Sequence, residues 1–114
     1  MNEEVTRRML RLVGLGVRSR GAVVGVEQVR EAAKKGKLEL AIVAHDASGH
    51  SVAKVVPLLE ARHVRVTRAP SAIDLGHAVG REQTAAVGIV DRQLAKGIRE
   101  LMDSGPASDS KEEG

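Results

Sequence analysis

The stretch VVGVEQVREAAKKGKLELAIVAHDAS, residues 23–48, has the pattern of a strand, a helix and a second strand in succession. Two valines precede Gly25, which opens a helix-favouring segment that closes with two lysines and Gly36. Cations and a glycine suit a helix C-terminus because of the helix dipole and the left-handed cap. Residues 38–44 are apolar except for Glu39, as expected of a strand that is covered on both faces. The stretch therefore predicts a helix followed directly by a buried strand.

The remainder of the chain continues this alternation. Helices are predicted at residues 3–17, 26–35, 52–62, 72–80 and 92–102, and strands at residues 23–24, 38–46, 63–69 and 84–91. Pro57 is expected to kink the third helix or to divide it, because proline lacks the backbone donor. Strands that alternate with helices in this way indicate an α/β layered domain with a mostly parallel or mixed sheet.

The composition limits the kind of core and the kind of chemistry. The chain has 114 residues, enough for a single domain with a modest core. Hydrophobic residues make up 42% of the sequence, but it contains no Phe, Tyr or Trp. The core must therefore be aliphatic, and stacking of nucleic-acid bases on aromatic side chains is excluded. Because there is no cysteine, disulfides and thiolate metal sites are excluded as well.

The basic charge is concentrated ahead of the C-terminal segment. The formal net charge is +3, and residues 103–114 contribute −3 of it through four acidic residues and one lysine, so residues 1–102 carry +6. Such a charge raises the rate of encounter with polyanions such as RNA, although many proteins that bind no nucleic acid are equally basic. We expect a folded domain over residues 1–102 and a disordered acidic tail over residues 103–114.

The N-terminal residues lack the features of a secretory signal, since two glutamates come early and arginines interrupt the apolar stripe. No other run is long enough to span a membrane. We therefore expect a cytoplasmic protein with no membrane partner.

The loop after the buried strand invites two chemical interpretations. His45, Asp46 and His50 could bind a metal, but three ligands on one flexible loop are uncommon. Ser48 or Ser51 beside His50 could form a nucleophile and base, but the segment lacks the G-x-S-x-G elbow. Surface polar residues are the simpler interpretation of both patterns. We therefore expect no catalytic residues, no metal site and no cofactor.

Over roughly residues 10–101, the order and spacing of the segments resemble the L7Ae/L30e family of ribosomal RNA-binding proteins, in particular its small bacterial YlxQ-type members. The most specific pieces are the helix of residues 25–36, the strand that ends in AHDAS, and LGHAVG before the last strand. The resemblance implies a three-layer α/β/α sandwich with a small mixed sheet. It also implies binding of kink-turn RNA, a sharply bent helix with tandem sheared G·A pairs.

In the family that the chain resembles, a G-x-N-E type motif inserts the N-terminus of this helix into the widened groove at the G·A pairs. On this pattern Gly25 keeps the glycine and Val26 follows it. Glu27 and Gln28 stand where Asn and Glu are usual, and Glu31 replaces a lysine one turn later. A helix N-terminus offers unpaired N–H groups and partial positive charge, and a glycine there lets an RNA strand approach closely.

Two loops complete the RNA surface that the resemblance implies. Ser48 and Val52 lie at the loop after AHDAS. Arg81, Gln83 and Ala86 lie at the loop after LGHAVG, where relatives place apolar residues against an extruded base. Arg81 could instead stack its guanidinium on a base or contact a phosphate.

Basic side chains outside these loops are predicted to contact the phosphates of the RNA. Lys34 and Lys35 are expected to contact phosphates, and Arg18 and Arg20 would extend that path; the alternative for each is a solvated surface cation. Taken with the resemblance, the sequence predicts a non-enzymatic protein that binds structured RNA, either a kink-turn or ribosomal RNA, as part of a ribosome or another ribonucleoprotein. A protein-interaction or regulatory module of the same fold, without strong RNA binding, is the alternative.

Overall fold

Helices and strands alternate along the chain, as the sequence pattern predicts. The computed structural model describes residues 2–103, and its elements in chain order are α1 (Glu3–Arg18), β1 (Ala22–Val24), α2 (Val26–Lys34), β2 (Leu40–Val43), α3 (Gly49–Ala61), β3 (Arg65–Thr67), α4 (Ala72–Ala78), β4 (Ala86–Ile89) and α5 (Arg92–Asp103). Polar side chains cap the N-termini of helices such as α1 and α4, whereas α2 begins at Gly25 without a side-chain cap. Asn2 Oδ1 accepts the N–H of Val5 at 2.8 Å, and Ser71 Oγ accepts the N–H of Asp74 at 3.0 Å. These caps satisfy N–H groups that have no partner within their helix.

The described strands form one mixed sheet in the order β1-β4-β2-β3. β4 runs antiparallel to both β1 and β2, whereas β2 and β3 are parallel. Helices α2 and α3 cover one face of the sheet, and α1, α4 and α5 cover the other. The predicted three-layer α/β/α sandwich with a small mixed sheet is confirmed.

Alternate residues of the central strand β2 enter two aliphatic cores, and every residue of this strand is buried, as its apolar run predicts. Leu40 and Ile42 belong to the core under α1, α4 and α5, and Ala41 and Val43 belong to the core under α2 and α3. The buried helix residues of the first core are Met9, Val13, Leu75, Ala95 and Ile98. Those of the second core are Val29, Ala33, Val55 and Leu59. Burial of these aliphatic side chains on both faces fixes the sheet between the two helical layers.

Pro57 lies inside α3, which continues as one helix from Gly49 to Ala61. Of the two expected effects of Pro57, a kink or a division of the helix, the division is therefore wrong. Proline removes the N–H that would bond to the carbonyl of Ala53, one turn earlier. Both residues are exposed, so water can bond to that carbonyl in place of the missing donor.

Helix α5 continues through Asp103, whose Oδ1 accepts a hydrogen bond from Arg65 Nη2 at 2.9 Å. This hydrogen bond and the nearby guanidinium charge lower the pKa of Asp103 from its usual value. Helix α5 therefore includes Asp103, the first residue of the predicted tail. The rest of the predicted acidic tail lies outside the described residues.

Candidate nucleic-acid interface

Three segments meet at one end of the sheet: the N-terminus of α2, the N-terminus of α3, and the loop of residues 80–85. β4 begins at this end because it is antiparallel to β1 and β2, which both end there. Val43 of β2 is opposite Ala86 of β4. The N–H of Gly25 donates to the carbonyl of Ala86 at 2.8 Å, which ties the start of α2 to β4. The structure therefore brings together the three segments that the sequence marks as RNA-binding.

Gly25 opens α2 in a backbone conformation that is almost exclusive to glycine, with φ 98° and ψ 155°. A Cβ at this position would meet no described atom within 4 Å, so the space in front of the helix is open. The N–H groups of residues 26–28 have no carbonyl partner within the helix. Together with the helix dipole, they make this end of α2 attractive to negatively charged oxygens.

Glu27, in the first turn of α2, forms an ion pair with Lys54 of α3, with 3.4 Å between Oε2 and Nζ. The carbonyl of Lys54 also accepts a hydrogen bond from the guanidinium of Arg30 on α2. Gln28 is exposed next to Glu27 in the chain. The first turn of α2 therefore presents a carboxylate, an amide and a lysine from the neighbouring helix.

The outward side of α2 borders a shallow groove of about 190 Å³ beside the edge strand β1. Gln28, Glu31 and Lys35 line it from α2, with Val23 of β1 and Lys37 beyond the helix. Glu31 occupies the position where the family pattern has a lysine. Its Oε2 lies 3.8 Å from Nζ of Lys35, so this carboxylate is paired with a cation one turn later. The structure thus places three of the predicted site residues along one surface.

Lys34 and Lys35 lie at the opposite end of α2 from Gly25, about 13 Å away along the helix axis at 1.5 Å per residue. Both are exposed. They can meet a phosphate backbone that runs the length of α2, but not a ligand confined to its N-terminus. Arg18 and Arg20 are also exposed, but they precede β1 and so lie at the other end of that strand from Gly25.

Ser48 and Val52 lie at the N-terminus of α3. The Ser48 hydroxyl accepts the N–H of Ser51 at 3.1 Å, so it caps this helix. The N–H of Val52 donates to the carbonyl of Ser48 at 3.0 Å. Ser48 is exposed and Val52 is half-buried. Both predicted residues therefore border the site, and the hydroxyl of Ser48 also holds the start of α3.

The loop between α4 and β4 exposes Arg81 and Gln83. Within residues 2–103, the Arg81 side chain makes no hydrogen bond or ion pair, so its guanidinium is free for a ligand. Ala86 is instead fully buried, as the first residue of β4 between β1 and β2. The Ala86 side chain is therefore not exposed to a base in this structure, because β4 begins at this residue.

The sequence model of the ribosomal protein L7Ae/L30e/S12e/Gadd45 family matches residues 7–100. The chain belongs to this family. The RNA-binding protein YlxQ of Bacillus subtilis (strain 168) is similar to this L7Ae-family chain, with 27% identity over 92 residues, which are 81% of this chain and 92% of YlxQ. The family that the sequence motifs predict is therefore confirmed.

Two solved structures share the fold of this L7Ae-family chain. A Bacillus halodurans protein of unknown function has a TM-score of 0.76 at 28% identity, covering 83% of this chain and 96% of that one. The Giardia lamblia 15.5 kD RNA-binding protein has a TM-score of 0.78 at 25% identity, covering 94% of this chain and 92% of that one. Two of these three similar proteins, YlxQ and the Giardia protein, are named as RNA-binding proteins.

The loop of residues 45–51 serves the fold of this L7Ae-family chain. Asp46 Oδ1 accepts the N–H of Ala72 at 2.8 Å, at the start of α4. Among the described residues, no group of three or more His, Asp or Glu side chains is placed to hold a metal ion. Over the same range, none of the helices combines the length and apolarity needed to cross a membrane.

Sequence reasoning missed Lys54 at this site. Lys54 lies in the middle of α3, and the packing of α3 on α2 brings its ammonium to Glu27. No motif marks a lysine at this position. The sequence places Lys54 on α3, six residues after Ser48. It does not show that Lys54 pairs with Glu27, because that ion pair depends on the packing of two helices that are distant in sequence.

Proposed function

We propose that this L7Ae-family protein binds structured RNA and recognises a kink-turn, or a similarly bent element of ribosomal RNA, as part of a ribosome or another ribonucleoprotein. The RNA would face the end of the sheet where α2, α3 and residues 80–85 meet. The proposal includes a cytoplasmic location and no membrane partner. The observation that carries it is the open N-terminus of α2 behind Gly25, which lies between two loops with exposed polar side chains.

A helix end suits the recognition of bent RNA because of the shape of the RNA. A regular A-form helix has a major groove too deep and narrow for side chains, so proteins read RNA where bends and bulges expose base edges. Gly25 has no side chain, so the tip of α2 can come close to such an edge or to a phosphate. The Gln28 amide can both donate and accept hydrogen bonds, while the Glu27 carboxylate accepts the N–H groups of a base.

The charges around the site also support an RNA partner. Lys54 supplies a positive charge beside the first turn of α2, and Arg81 supplies one on the loop of residues 80–85. Lys35 supplies a third at the C-terminal end of α2. Glu27 and Glu31 are each paired with a lysine, which reduces their repulsion of phosphate. Two similar proteins, YlxQ and the Giardia protein, are named as RNA-binding proteins, which supports the same function here.

The proposal is tested by titrating the full chain with a kink-turn RNA and with a straight duplex of the same composition, each at two salt concentrations. We expect the kink-turn to bind at least about tenfold more tightly, a difference of about 1.4 kcal/mol. The affinity should fall with salt, because each phosphate contact releases condensed counterions.

A matched pair of variants links the binding to α2. Gln28→Ala removes an exposed amide from the first turn of α2 and should weaken kink-turn binding about tenfold, the free energy of one hydrogen bond to a base edge. Gln93→Ala removes the same amide from the first turn of α5, which lies on the opposite face of the sheet, and should leave binding unchanged. Equal affinity for the kinked and straight RNAs would contradict the proposal and favour a protein partner.

A further inference from the structure

A second basic surface lies on the opposite helical layer, between α1 and α4. It is an open groove of about 430 Å³. The residues that line it are Arg7, Leu10, Arg11, Gly14, Arg18, Asp74, His77 and Ala78. The sequence motifs and the family resemblance do not point to this groove, because its arginines are spread along α1 and meet α4 only in the folded chain.

The floor of the groove is a close contact between two backbones. A Cβ at Gly14 would lie 2.8 Å from the carbonyl oxygen of Ala78, closer than carbon and oxygen can approach. Glycine at this position therefore lets α1 pack directly on the C-terminal turn of α4. Arg18 Nη1 lies 3.8 Å from the same Cβ position, so the Arg18 side chain folds back along α1 over this contact. Arg18 thus lines this groove and does not extend the phosphate contacts predicted for Lys34 and Lys35 on α2.

The groove has an excess of positive charge that the residues of the range 2–103 do not neutralise. Three arginines line it against one carboxylate, that of Asp74. Arg7 is paired with Glu4, with 3.2 Å between Nη1 and Oε1. Within residues 2–103, the side chains of Arg11 and Arg18 make no hydrogen bond or ion pair. Positive charges that line a concave surface attract a polyanion. The planar guanidinium group also matches the geometry of two phosphate oxygens.

One residue that lines the groove, Ala78, is close in the chain to the proposed RNA-binding loop of residues 80–85. Ala78 ends α4, and Arg81 follows three residues later, with its N–H donating to the carbonyl of Gly76 at 2.8 Å. From Arg7 to Arg18 the groove follows α1 for about 16 Å, at 1.5 Å per residue. That length matches about five nucleotides of a stacked strand at 3.4 Å each. A strand that leaves the loop at Arg81 can therefore continue along the groove.

We propose that an RNA strand leaving the bent element follows the α1–α4 groove, with its phosphates bound by Arg11 and Arg18 and, at the far end, by Arg7. This inference rests on the proposed function, because it extends that RNA site around the end of α4. Phosphate is the expected ligand because guanidinium groups line the groove and aromatic side chains for base stacking are absent from the sequence. Continuity with Arg81 favours RNA over an acidic peptide.

The test compares a minimal kink-turn RNA with the same RNA extended by about six unpaired nucleotides, at the 5′ end in one version and the 3′ end in another. For the unmodified protein, one of the extensions should increase affinity about fivefold or more. It should also steepen the dependence of affinity on salt by at least about 1.4 in the logarithmic slope, from the two unpaired arginines, Arg11 and Arg18, at about 0.7 each. The amide signals of Gly14 and Ala78 should shift in NMR spectra with the extended RNA but not with the minimal one.

The variant Arg11→Gln with Arg18→Gln keeps long polar side chains at two exposed helix positions and removes both charges. It should lose the gain from the extension while binding the minimal RNA within about twofold of the unmodified protein. The control, Arg92→Gln with Lys96→Gln, removes the same charge from exposed positions of α5 and should keep the gain.

The outcomes separate the two proposals. Bend-selective binding with no gain from either extension, or a gain that survives in the Arg11 and Arg18 variant, would overturn the groove as an RNA site. Equal binding of kinked and straight minimal RNAs would overturn the proposed function, and this inference with it.

Discussion

Lys54 of α3 and Glu27 of α2 form an ion pair, with 3.4 Å between Nζ and Oε2, at the helix end that faces the proposed RNA. The side chains are 43% and 75% exposed, so the pair adds little to the stability of the fold. Its effect is on the surface potential. A carboxylate at a helix N-terminus is favoured by the dipole but repels phosphate, and the neighbouring ammonium offsets that repulsion.

We predict that Lys54→Ala weakens binding of kink-turn RNA about fivefold, a loss of about 1 kcal/mol, because Glu27 is then left without its cation. The free energy of unfolding should stay the same within about 0.5 kcal/mol, since the side chain is exposed. Titration of the RNA and urea denaturation check the two parts. Lys96→Ala, at an exposed position of α5, is the control for loss of one positive charge. If both variants weaken binding equally, Lys54 acts through net charge alone.

Glu31→Lys should tighten binding of kink-turn RNA. The substitution places a cation in the groove beside β1 and releases Lys35, which lies 3.8 Å from the Glu31 carboxylate. Two cations then face the RNA, so we expect about tenfold tighter binding and a steeper dependence on salt. Glu60→Lys makes the same change of charge at an exposed position near the far end of α3. Equal tightening by the two substitutions would show that this side of α2 does not face the RNA.

The elements that the sequence predicts best are those with local determinants. Gly25 marks the start of α2 and the two lysines before Gly36 mark its end, because caps depend on neighbouring residues. The apolar run of residues 38–44 predicts a strand buried on both faces, and the core of the run forms β2. Family resemblance supplied the three-layer arrangement with a mixed sheet, which local patterns leave open, and the order of the strands comes from the structure alone.

The parts that the sequence does not predict depend on contacts between distant segments. Ala86 has the small apolar side chain of a base-packing residue, but the pairing of β4 with two neighbours buries it. Lys54 resembles any exposed lysine until α3 packs on α2 and brings it to Glu27. Arg11 and Arg18 become one surface only when Gly14 lets α1 pack on α4. In each case the deciding interaction links elements that are not adjacent in the chain.

Gly25→Ala should destabilise the fold more than Gly36→Ala. Neither position has a described atom within 4 Å of the new Cβ, so the difference measures backbone strain rather than a clash. Gly36, at φ 70°, lies near the left-handed helical region, where alanine costs about 1 kcal/mol. Gly25, at φ 98° and ψ 155°, lies outside it, and we expect a loss of about 2–3 kcal/mol. Urea denaturation measures both, and equal losses would mean that α2 starts in another conformation in solution.

Gly76→Ala should both destabilise the fold and weaken RNA binding, because Gly76 supports the loop that carries Arg81. A Cβ at Gly76 would lie 2.6 Å and 2.7 Å from the backbone N and C of Gln83, so the loop must move away from α4. We expect the free energy of unfolding to fall by about 1–3 kcal/mol, as for other overpacked sites.

The matched substitution for Gly76→Ala is Gly97→Ala in α5, where the new Cβ would lie at an ordinary 3.7 Å from Leu12 Cδ1. Alanine favours a helix more than glycine does, so Gly97→Ala should raise the free energy of unfolding by about 0.5–1 kcal/mol and leave RNA binding unchanged. Urea denaturation and RNA titration of the two variants test this contrast. A stable Gly76→Ala protein with undiminished RNA affinity would show that the loop is free to shift and does not position Arg81 for the RNA.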